Sequence, residues 1–254
     1  MSKRLQRQEK LVEIVKKQGM LSVRVLASIL QVSEMTVRRD IKELGFFAAD
    51  ESQSKDQVAN PENGREYDLF MELERSNKQK SKIGRFAASL ILPGDVIAID
   101  TGSTTARMLP HIPDNINLTV MCYNANVLSD LRYRPGVNIL FGGGIFHRNT
   151  EMCESDESVD FIRKTRVNKA FLSAAGVHDS LGVTCANTYE VPSKCAIIDS
   201  SAERILLIDS SKFSEVRQAY FCELKDINTI ITDSNITDEW RQIVDEMGIK
   251  LYVV

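Results

Sequence analysis

Residues 101–105 have the residue types that bind a phosphate group through backbone amides and hydroxyls. This stretch, called the TGSTT loop below, follows residues 96–100, VIAID, an apolar run typical of a buried parallel strand, and precedes a helix predicted over residues 106–109. Its glycine allows close backbone approach, and its amides and hydroxyls are hydrogen-bond donors. The pattern predicts a phosphate site; the alternative is an ordinary capped turn. The candidate ligand-binding residues here are Asp100, Thr101, Gly102, Ser103, Thr104 and Thr105.

Polar or glycine-rich residues also follow other predicted strands. The predicted strands are 96–100, 118–122, 137–141, 169–173, 204–208, 228–232 and 250–254. Because helices alternate with these strands, the sequence predicts a Rossmann-like α/β fold with an open, mostly parallel sheet, whose ligands bind beyond the carboxyl ends of the strands. A lone loop lysine such as Lys212 is otherwise simply solvated. The candidate ligand-binding residues after these strands are Asn124, Gly142, Gly143, Gly144 and Lys212.

Residues 21–44 predict two short helices joined by a tight turn. Ser22 and Ser33 are suited to cap the two helices, and Gly45 ends the second. After each cap, apolar residues recur at helical spacing, so each helix has one face to bury. With a further helix over residues 4–18, the pair predicts a helix-turn-helix head of the winged-helix-like type.

The second helix of this pair turns a basic, hydrogen-bonding face away from its apolar stripe. Such a face suits the DNA major groove, where arginine bonds guanine and serine or threonine bonds bases or phosphates. A solvated amphipathic helix in an ordinary bundle is the alternative. The candidate DNA-binding residues are Ser33, Met35, Thr36, Arg38, Arg39 and Lys42, with Arg24 in the preceding helix.

The distribution of charge favours DNA binding. Residues 1–45 contain ten Lys or Arg and five acids, a net charge of +5, whereas the whole chain is −3, which leaves −8 for residues 46–254. Phosphate neutralisation supplies most of the non-specific affinity for DNA, so a basic head on an acidic body is expected of a DNA-binding module attached to another domain.

Composition bounds the remaining possibilities. The 254 residues suffice for a DNA-binding domain over residues 1–58, a linker over 59–79 and an α/β domain over 80–254. Residues 46–64 are polar and turn-rich, with at most a feeble wing. Without a membrane-spanning run or signal peptide, a cytoplasmic protein is expected. The five cysteines are widely spaced and form no C-x-x-C pair, so we expect reduced, mostly buried thiols, and neither a metal site nor a cofactor.

Several motifs together resemble one family. Residues 33–41, SEMTVRRDI, resemble the helix-turn-helix signature of the DeoR family of bacterial repressors. Residues 100–105, 142–144, 209–213 and 230–233 resemble, in the right order, motifs of that family's sugar-phosphate domain. The match spans nearly the whole chain. It implies a repressor whose inducer is a phosphorylated sugar, with deoxyribose 5-phosphate as the first candidate.

The α/β part also resembles ribose 5-phosphate isomerase, which implies a rival function, a sugar-phosphate isomerase with a vestigial DNA-binding head. Such an enzyme needs a carboxylate base within reach of the sugar. In the isomerase pattern an acid directly precedes a lysine, but here Ser193 precedes Lys194, and Glu190 lies four residues before that lysine. We therefore predict binding without catalysis and no catalytic residue. Glu190, Lys194 and His178 are candidates to bind sugar hydroxyls, but helix-capping or loop positions are equally open to them.

The predicted partners follow from this organisation. Two or more heads would bind repeated or inverted sites in a double-stranded DNA operator, and a homo-oligomer would form through the α/β domains. The phosphorylated sugar would favour an arrangement of those domains in which the spacing of the heads does not fit the DNA sites.

Overall fold

The computed structural model describes residues 67–254 continuously and, before them, residues 4, 7–8, 10–11, 23–33, 36–37 and 39–40. The chain divides into two compact units, Met1–Gly64 and Arg65–Val254. The predicted wing, and the predicted DNA contacts of Met35, Arg38 and Lys42, lie outside the described residues. The predicted domain boundaries at residues 58 and 79 stay predictions.

Most strands of the second unit belong to a single parallel sheet. The strands are β1 Val96–Ile99, β2 Leu118–Cys122, β3 Val137–Phe141, β4 Ile145–His147, β5 Met152–Glu154, β6 Val167–Ser173, β7 Gly176–His178, β8 Gly182–Cys185, β9 Ser201–Leu207, β10 Ala219–Cys222, β11 Thr229–Thr232 and β12 Lys250–Val253. Seven of them form the sheet, in the order β12-β11-β9-β6-β1-β2-β3. Every pairing within it is parallel, which confirms the predicted Rossmann-like α/β fold.

Helices cover both faces of this sheet. The helices are α1 Val23–Leu30, in the first unit, and α2 Leu69–Glu74, α3 Asn77–Ala88, α4 Ser103–Ala106, α5 Ala125–Leu131, α6 Asp156–Lys164, α7 Val191–Ser200 and α8 Asp238–Glu246. One core lies between the sheet and α3 and α5, and the other lies between the sheet and α6, α7 and α8. Among the described residues, no helix is long and apolar enough to cross a membrane.

The chain direction across the sheet reverses between β1 and β6. From β1 the chain proceeds outward through β2 to β3, and from β6 it proceeds outward through β9 and β11 to β12. The ends of β1 and β6 are therefore the topological switch point, where open α/β sheets bind their ligands. The TGSTT loop follows β1 at this point.

Alternation along β1 decides which way Asp100 faces. Ile97 and Ile99 belong to the core beneath α3, whereas Ala98 belongs to the core beneath α7. Because successive side chains of a strand point to opposite faces, Asp100 continues the face of Ala98.

Two smaller sheets are additions that sequence periodicity did not predict. Strands β4 and β5 form an antiparallel hairpin, and β7, β8 and β10 form a three-stranded antiparallel sheet. Several of these strands have only three residues, which is too few to display an alternating pattern.

The helix after the TGSTT loop begins earlier than predicted. The prediction of residues 106–109 is wrong, since α4 covers Ser103–Ala106 and a single 3₁₀ turn follows over Leu109–His111. The Thr105 hydroxyl donates to the Gly102 carbonyl at 2.9 Å, a local bond that helps to begin the helix inside the Ser and Thr run.

The five cysteines are all free, in agreement with the expected reduced thiols. Cys122, Cys185 and Cys222 are buried. Burial raises the pKa of Cys122 and of Cys185 to about 12, so these thiols stay protonated and unreactive at neutral pH.

Residues 67–76, which lie within the predicted linker of residues 59–79, pack against the α/β body. Leu69 is 1% exposed, and its amide donates to the Asn149 carbonyl at 2.7 Å. The Arg107 guanidinium donates to the Leu73 carbonyl, also at 2.7 Å.

Truncation of Leu69 tests this packing. We expect Leu69→Ala to destabilise the second unit by about 2–5 kcal/mol, because a buried leucine loses its contacts and leaves a cavity. Met71→Ala in the same helix is the matched control, since Met71 is 70% exposed. Urea denaturation followed by fluorescence of Trp240, the one tryptophan of the chain, measures both variants. Equal stabilities would mean that α2 is merely a linker.

Candidate functional site

Asp100 and Lys194 form a fully buried ion pair at the switch point. The Lys194 ammonium lies 2.5 Å from Asp100 Oδ2, and neither side chain is exposed. The same ammonium donates to the Ser173 carbonyl at 3.1 Å. Lys194 reaches this position from α7, which lies on the face toward which Asp100 points.

Further donors saturate the Asp100 carboxylate. The Tyr123 hydroxyl donates to Oδ1, and the Ser173 amide donates to Oδ2 at 2.9 Å. The pair thus joins β1, the residue after β2, the end of β6 and α7. Buried charges are stable only with such partners. The first role of Asp100 and Lys194 is therefore structural.

Glu190 completes a buried charged cluster with this pair. Its carboxylate lies 3.8 Å from the Lys194 ammonium and accepts hydrogen bonds from the amide and side chain of Asn187 at 3.1 and 2.8 Å. Burial raises the pKa of Glu190, whereas Lys194 acts in the opposite direction. Burial also opposes the charge on Lys194, but Asp100 and Glu190 outweigh it and raise the pKa of Lys194. Of the two roles left open for Glu190, capping is observed, since it forms a capping box with Asn187.

The TGSTT loop lies above this cluster with its backbone closely packed. A Cβ atom at Gly102 would lie 2.5 Å from the Ser173 Cβ, so only glycine fits there. The hydroxyls of Thr101 and Thr105 donate to the carbonyls of Thr150 and Asp100 at 2.9 and 2.8 Å. These two threonines fix the loop, and the first-turn amides of α4 are the groups suited to an anion.

Two lysines supply positive charge near the loop. Lys212 follows β9, as predicted, and Lys80 lies on α3 with 1% of its surface exposed. The two ammonium groups lie 3.7 and 3.5 Å from the same oxygen, Oε2 of Glu72. Burial lowers the pKa of Lys80, although Glu72 and Asp209 favour its charge. Sequence reasoning did not identify Lys80 or Glu72.

Tyr67 also reaches the loop. Burial and the nearby carboxylates of Glu190 and Glu72 raise the pKa of Tyr67. The backbone of Ser103, the first residue of α4, acts in the opposite direction on the pKa of its hydroxyl. Tyr67 is neutral at physiological pH and was not predicted as a site residue.

Asn124 has a buried donor that the protein leaves unsatisfied. It is 1% exposed, and its Nδ2 has no hydrogen-bond partner among the residues that the structure describes. Ser193 Oγ, on α7, also has no hydrogen-bond partner within that part of the chain. Buried polar atoms nearly always have a partner, so both are suited to the hydroxyls of a ligand.

Two of the glycines of residues 142–144 allow close packing, Gly142 against α6 and Gly144 against strand β5. A Cβ atom at Gly142 would collide with the Ser158 hydroxyl, and one at Gly144 would collide with the Glu154 carbonyl. Gly144 also has a φ of +139°, which other residues rarely adopt. Gly143 has open space around it. His178 lies in the β7–β8 hairpin, 2.8 Å from Asp179.

In the first unit, the described residues near the predicted DNA-binding face have the expected burial. Val37 is completely buried, whereas Arg39 is exposed and Thr36 is partly exposed. The Thr36 amide donates to the Ser33 hydroxyl at 3.3 Å, so Ser33 acts as the cap. Asp40 is buried and bonded by the Arg7 guanidinium at 2.5 Å. Arg24 lies on α1.

The residues that sequence reasoning missed differ in the sequence signal that each one offered. Lys80 had the best sequence signal, since it is a lysine at a position that belongs to the buried side of an amphipathic helix. Glu72 and Tyr67 gave no such signal, because they lie before the predicted α/β domain.

Two family models match the chain. The DeoR-like helix-turn-helix domain matches residues 7–45, and the DeoR C-terminal sensor domain matches residues 75–234. Together with the α/β fold and the buried site, they define a DNA-binding regulator that senses a small-molecule effector. The chain belongs to the DeoR family of transcriptional regulators, and it is not an isomerase.

Curated relatives of the same length agree. The chain is 29% identical to the deoxyribose operon repressor of Escherichia coli K12 over 257 residues, 98% of each chain. It is 26% identical to the transcriptional regulator IolR of Bacillus subtilis, over 98% of this chain and 99% of that one. Both relatives are named as regulators rather than enzymes.

Solved structures give only distant likenesses. Ribose 5-phosphate isomerase A from Methanocaldococcus jannaschii is 18% identical over 54% of each chain, with a TM-score of 0.39. The β subunit of eIF2B from Chaetomium thermophilum is 18% identical over 82% of this chain and 59% of that one, with a TM-score of 0.44.

Removal of the Lys194 charge tests the buried pair. We expect Lys194→Met to destabilise the second unit by about 3–5 kcal/mol, because it leaves Asp100 buried without its cation. The double variant Asp100→Asn with Lys194→Met should regain part of that loss. Urea denaturation followed by Trp240 fluorescence measures all three proteins, with Lys164→Met, at an exposed lysine, as the control. A double variant less stable than Lys194→Met would contradict the pairing.

Proposed function

We propose that this protein represses a sugar or nucleoside catabolic operon and that a phosphorylated sugar releases it from its operator DNA. Deoxyribose 5-phosphate is the first candidate, because the E. coli relative is named a deoxyribose operon repressor. As a DNA-binding transcriptional regulator it would act in the cytoplasm.

The observation that carries the effector class is the group of anion-binding donors at the switch point. Lys80 and Lys212 both lie within 4 Å of the same Glu72 oxygen, and α3, which contains Lys80, packs against α4, whose first-turn amides follow β1. Amides at a helix N-terminus with lysines beside them suit a phosphate. The effector-binding residues that we propose are those predicted from sequence, Asp100 to Thr105, Asn124, Gly142 to Gly144, Glu190, Lys194 and Lys212, with Lys80 added.

These residues divide into two roles in the proposal. Asp100 and Lys194 have a structural role, since their charged groups already bond each other. The loop amides, Lys80 and Lys212 bind the phosphate, while the unsatisfied Asn124 Nδ2 binds a sugar hydroxyl.

DNA binding belongs to the first unit in this proposal. Ser33, Thr36 and Arg39 lie at the start of the second helix of the helix-turn-helix, and Met35, Arg38, Lys42 and Arg24 are further predicted contacts. A homo-oligomer formed through the second unit would present two or more heads, so that weak binding by each gives strong binding overall.

The first variant tests the DNA-binding face. We expect Arg39→Ala to weaken operator binding by about 10- to 100-fold, because an arginine contact to a base is worth about 1–3 kcal/mol. The matched control is Arg163→Ala, which removes an exposed arginine from α6. DNA retention by each purified protein on its own upstream region measures the effect. Equal binding by both variants would argue against the assigned face.

The second experiment tests the effector. DNA retained by the wild-type protein is titrated with deoxyribose 5-phosphate and with ribose 5-phosphate, and each sugar is assayed for conversion afterwards. We expect release by deoxyribose 5-phosphate, with the sugar recovered unchanged. Gly102→Ala should abolish release, since a Cβ atom forces the TGSTT loop away from Ser173. Retention at every sugar concentration would refute this effector class.

A further inference from the structure

Residues 67–76, which we call the strap, already bind the groups that suit a phosphate. Glu72 Oε2 lies within 4 Å of both the Lys80 and Lys212 ammonium groups, at 3.5 and 3.7 Å. Tyr67 lies close enough to the start of α4 for the Ser103 backbone to act on the pKa of its hydroxyl. The strap therefore reaches the start of α4 and contacts both lysines.

We propose that the strap occupies the phosphate position of the effector site and that a phosphorylated sugar binds by displacing it. This inference rests on the proposed effector class. The Glu72 carboxylate stands in for phosphate oxygens, with both lysines as its cations. A phosphate monoester carries about −1.5 to −2 charges at pH 7, so it repels the carboxylate if both share these lysines.

A phosphorylated sugar can replace some of the polar contacts that hold the strap to the body. Its helix α2 has six residues, too few to be stable alone, so its order depends on the body. Apart from the buried Leu69, its ties include the Glu72 carbonyl, bonded by Lys80 at 2.6 Å, and the Leu73 carbonyl, bonded by Arg107. Met71 faces solvent.

The position of the strap in the chain gives its displacement a consequence. It follows the first unit, which ends at Gly64. Release of the strap changes where the chain leaves the second unit, and this couples the effector site to the DNA-binding unit by a covalent connection. The coupling is reciprocal, so a weaker strap makes release from DNA easier.

Neutralisation of Glu72 tests the proposal. We expect Glu72→Gln to bind deoxyribose 5-phosphate about tenfold more tightly in calorimetry, because an anion competing for Lys80 and Lys212 is lost. Tyr67→Phe, which removes the hydroxyl near the Ser103 backbone, should also bind more tightly. Glu246→Gln, at an exposed glutamate of α8, is the control and should match the wild type. Equal or weaker binding by Glu72→Gln would overturn the proposal.

Hydrogen exchange of the wild-type protein gives a second, independent result. With saturating deoxyribose 5-phosphate, we expect the amides of residues 67–76 to exchange faster while those of residues 101–105 exchange more slowly. Slower exchange in both segments would mean that the strap closes over the ligand as a lid, and the proposal would be wrong.

The outcomes separate the two proposals. If the wild-type protein binds the sugar phosphate and Glu72→Gln gains nothing, the effector class stands and only the strap proposal fails. If neither protein binds deoxyribose 5-phosphate, ribose 5-phosphate or inorganic phosphate, the effector class fails, and the strap proposal fails with it.

Discussion

Asp100 and Lys194 place two opposite charges in the interior of the sensor unit, beneath the TGSTT loop. Desolvation of each charge costs several kcal/mol, so the pair is tolerable only where further hydrogen bonds complete it. Tyr123 and Ser173 supply those bonds from neighbouring strands. The ion pair and its hydrogen bonds thus connect β1, β6 and α7 at the switch point. These connections set the geometry of the loop.

This arrangement separates support from ligand binding. The charge of Lys194 is already balanced by Asp100, so the positive charge available to an anion comes from Lys80 and Lys212. Their shared partner is Glu72, whose side chain is 20% exposed and lies on a short helix. In the proposed mechanism the buried pair stays in place while the contact of Glu72 with the two lysines is exchanged for the ligand, which gives the site two states.

The same separation suits a regulator better than an enzyme. Glu190, a carboxylate at the site, accepts a hydrogen bond from Asn187 and lies 3.8 Å from the Lys194 ammonium, so its polar contacts are already within the protein. Catalysis of sugar isomerisation needs a carboxylate free to move a proton, whereas recognition needs only fixed donors and acceptors. In the proposed mechanism, the fixed site binds the ligand and displacement of residues 67–76 changes the shape of the sensor unit.

The sequence by itself determined the α/β class, the main strands, the TGSTT loop and the helix-turn-helix, because hydrophobic periodicity, capping residues and glycine placement are local signals. It also pointed to Lys194 and Lys212 as candidates. Only the tertiary structure decided that Lys194 pairs with Asp100, 94 residues away, and that Glu72 lies between Lys80 and Lys212. Those contacts arise from strand order and helix packing, which bring together segments that are distant in the sequence. The local sequence of each segment does not identify its partner.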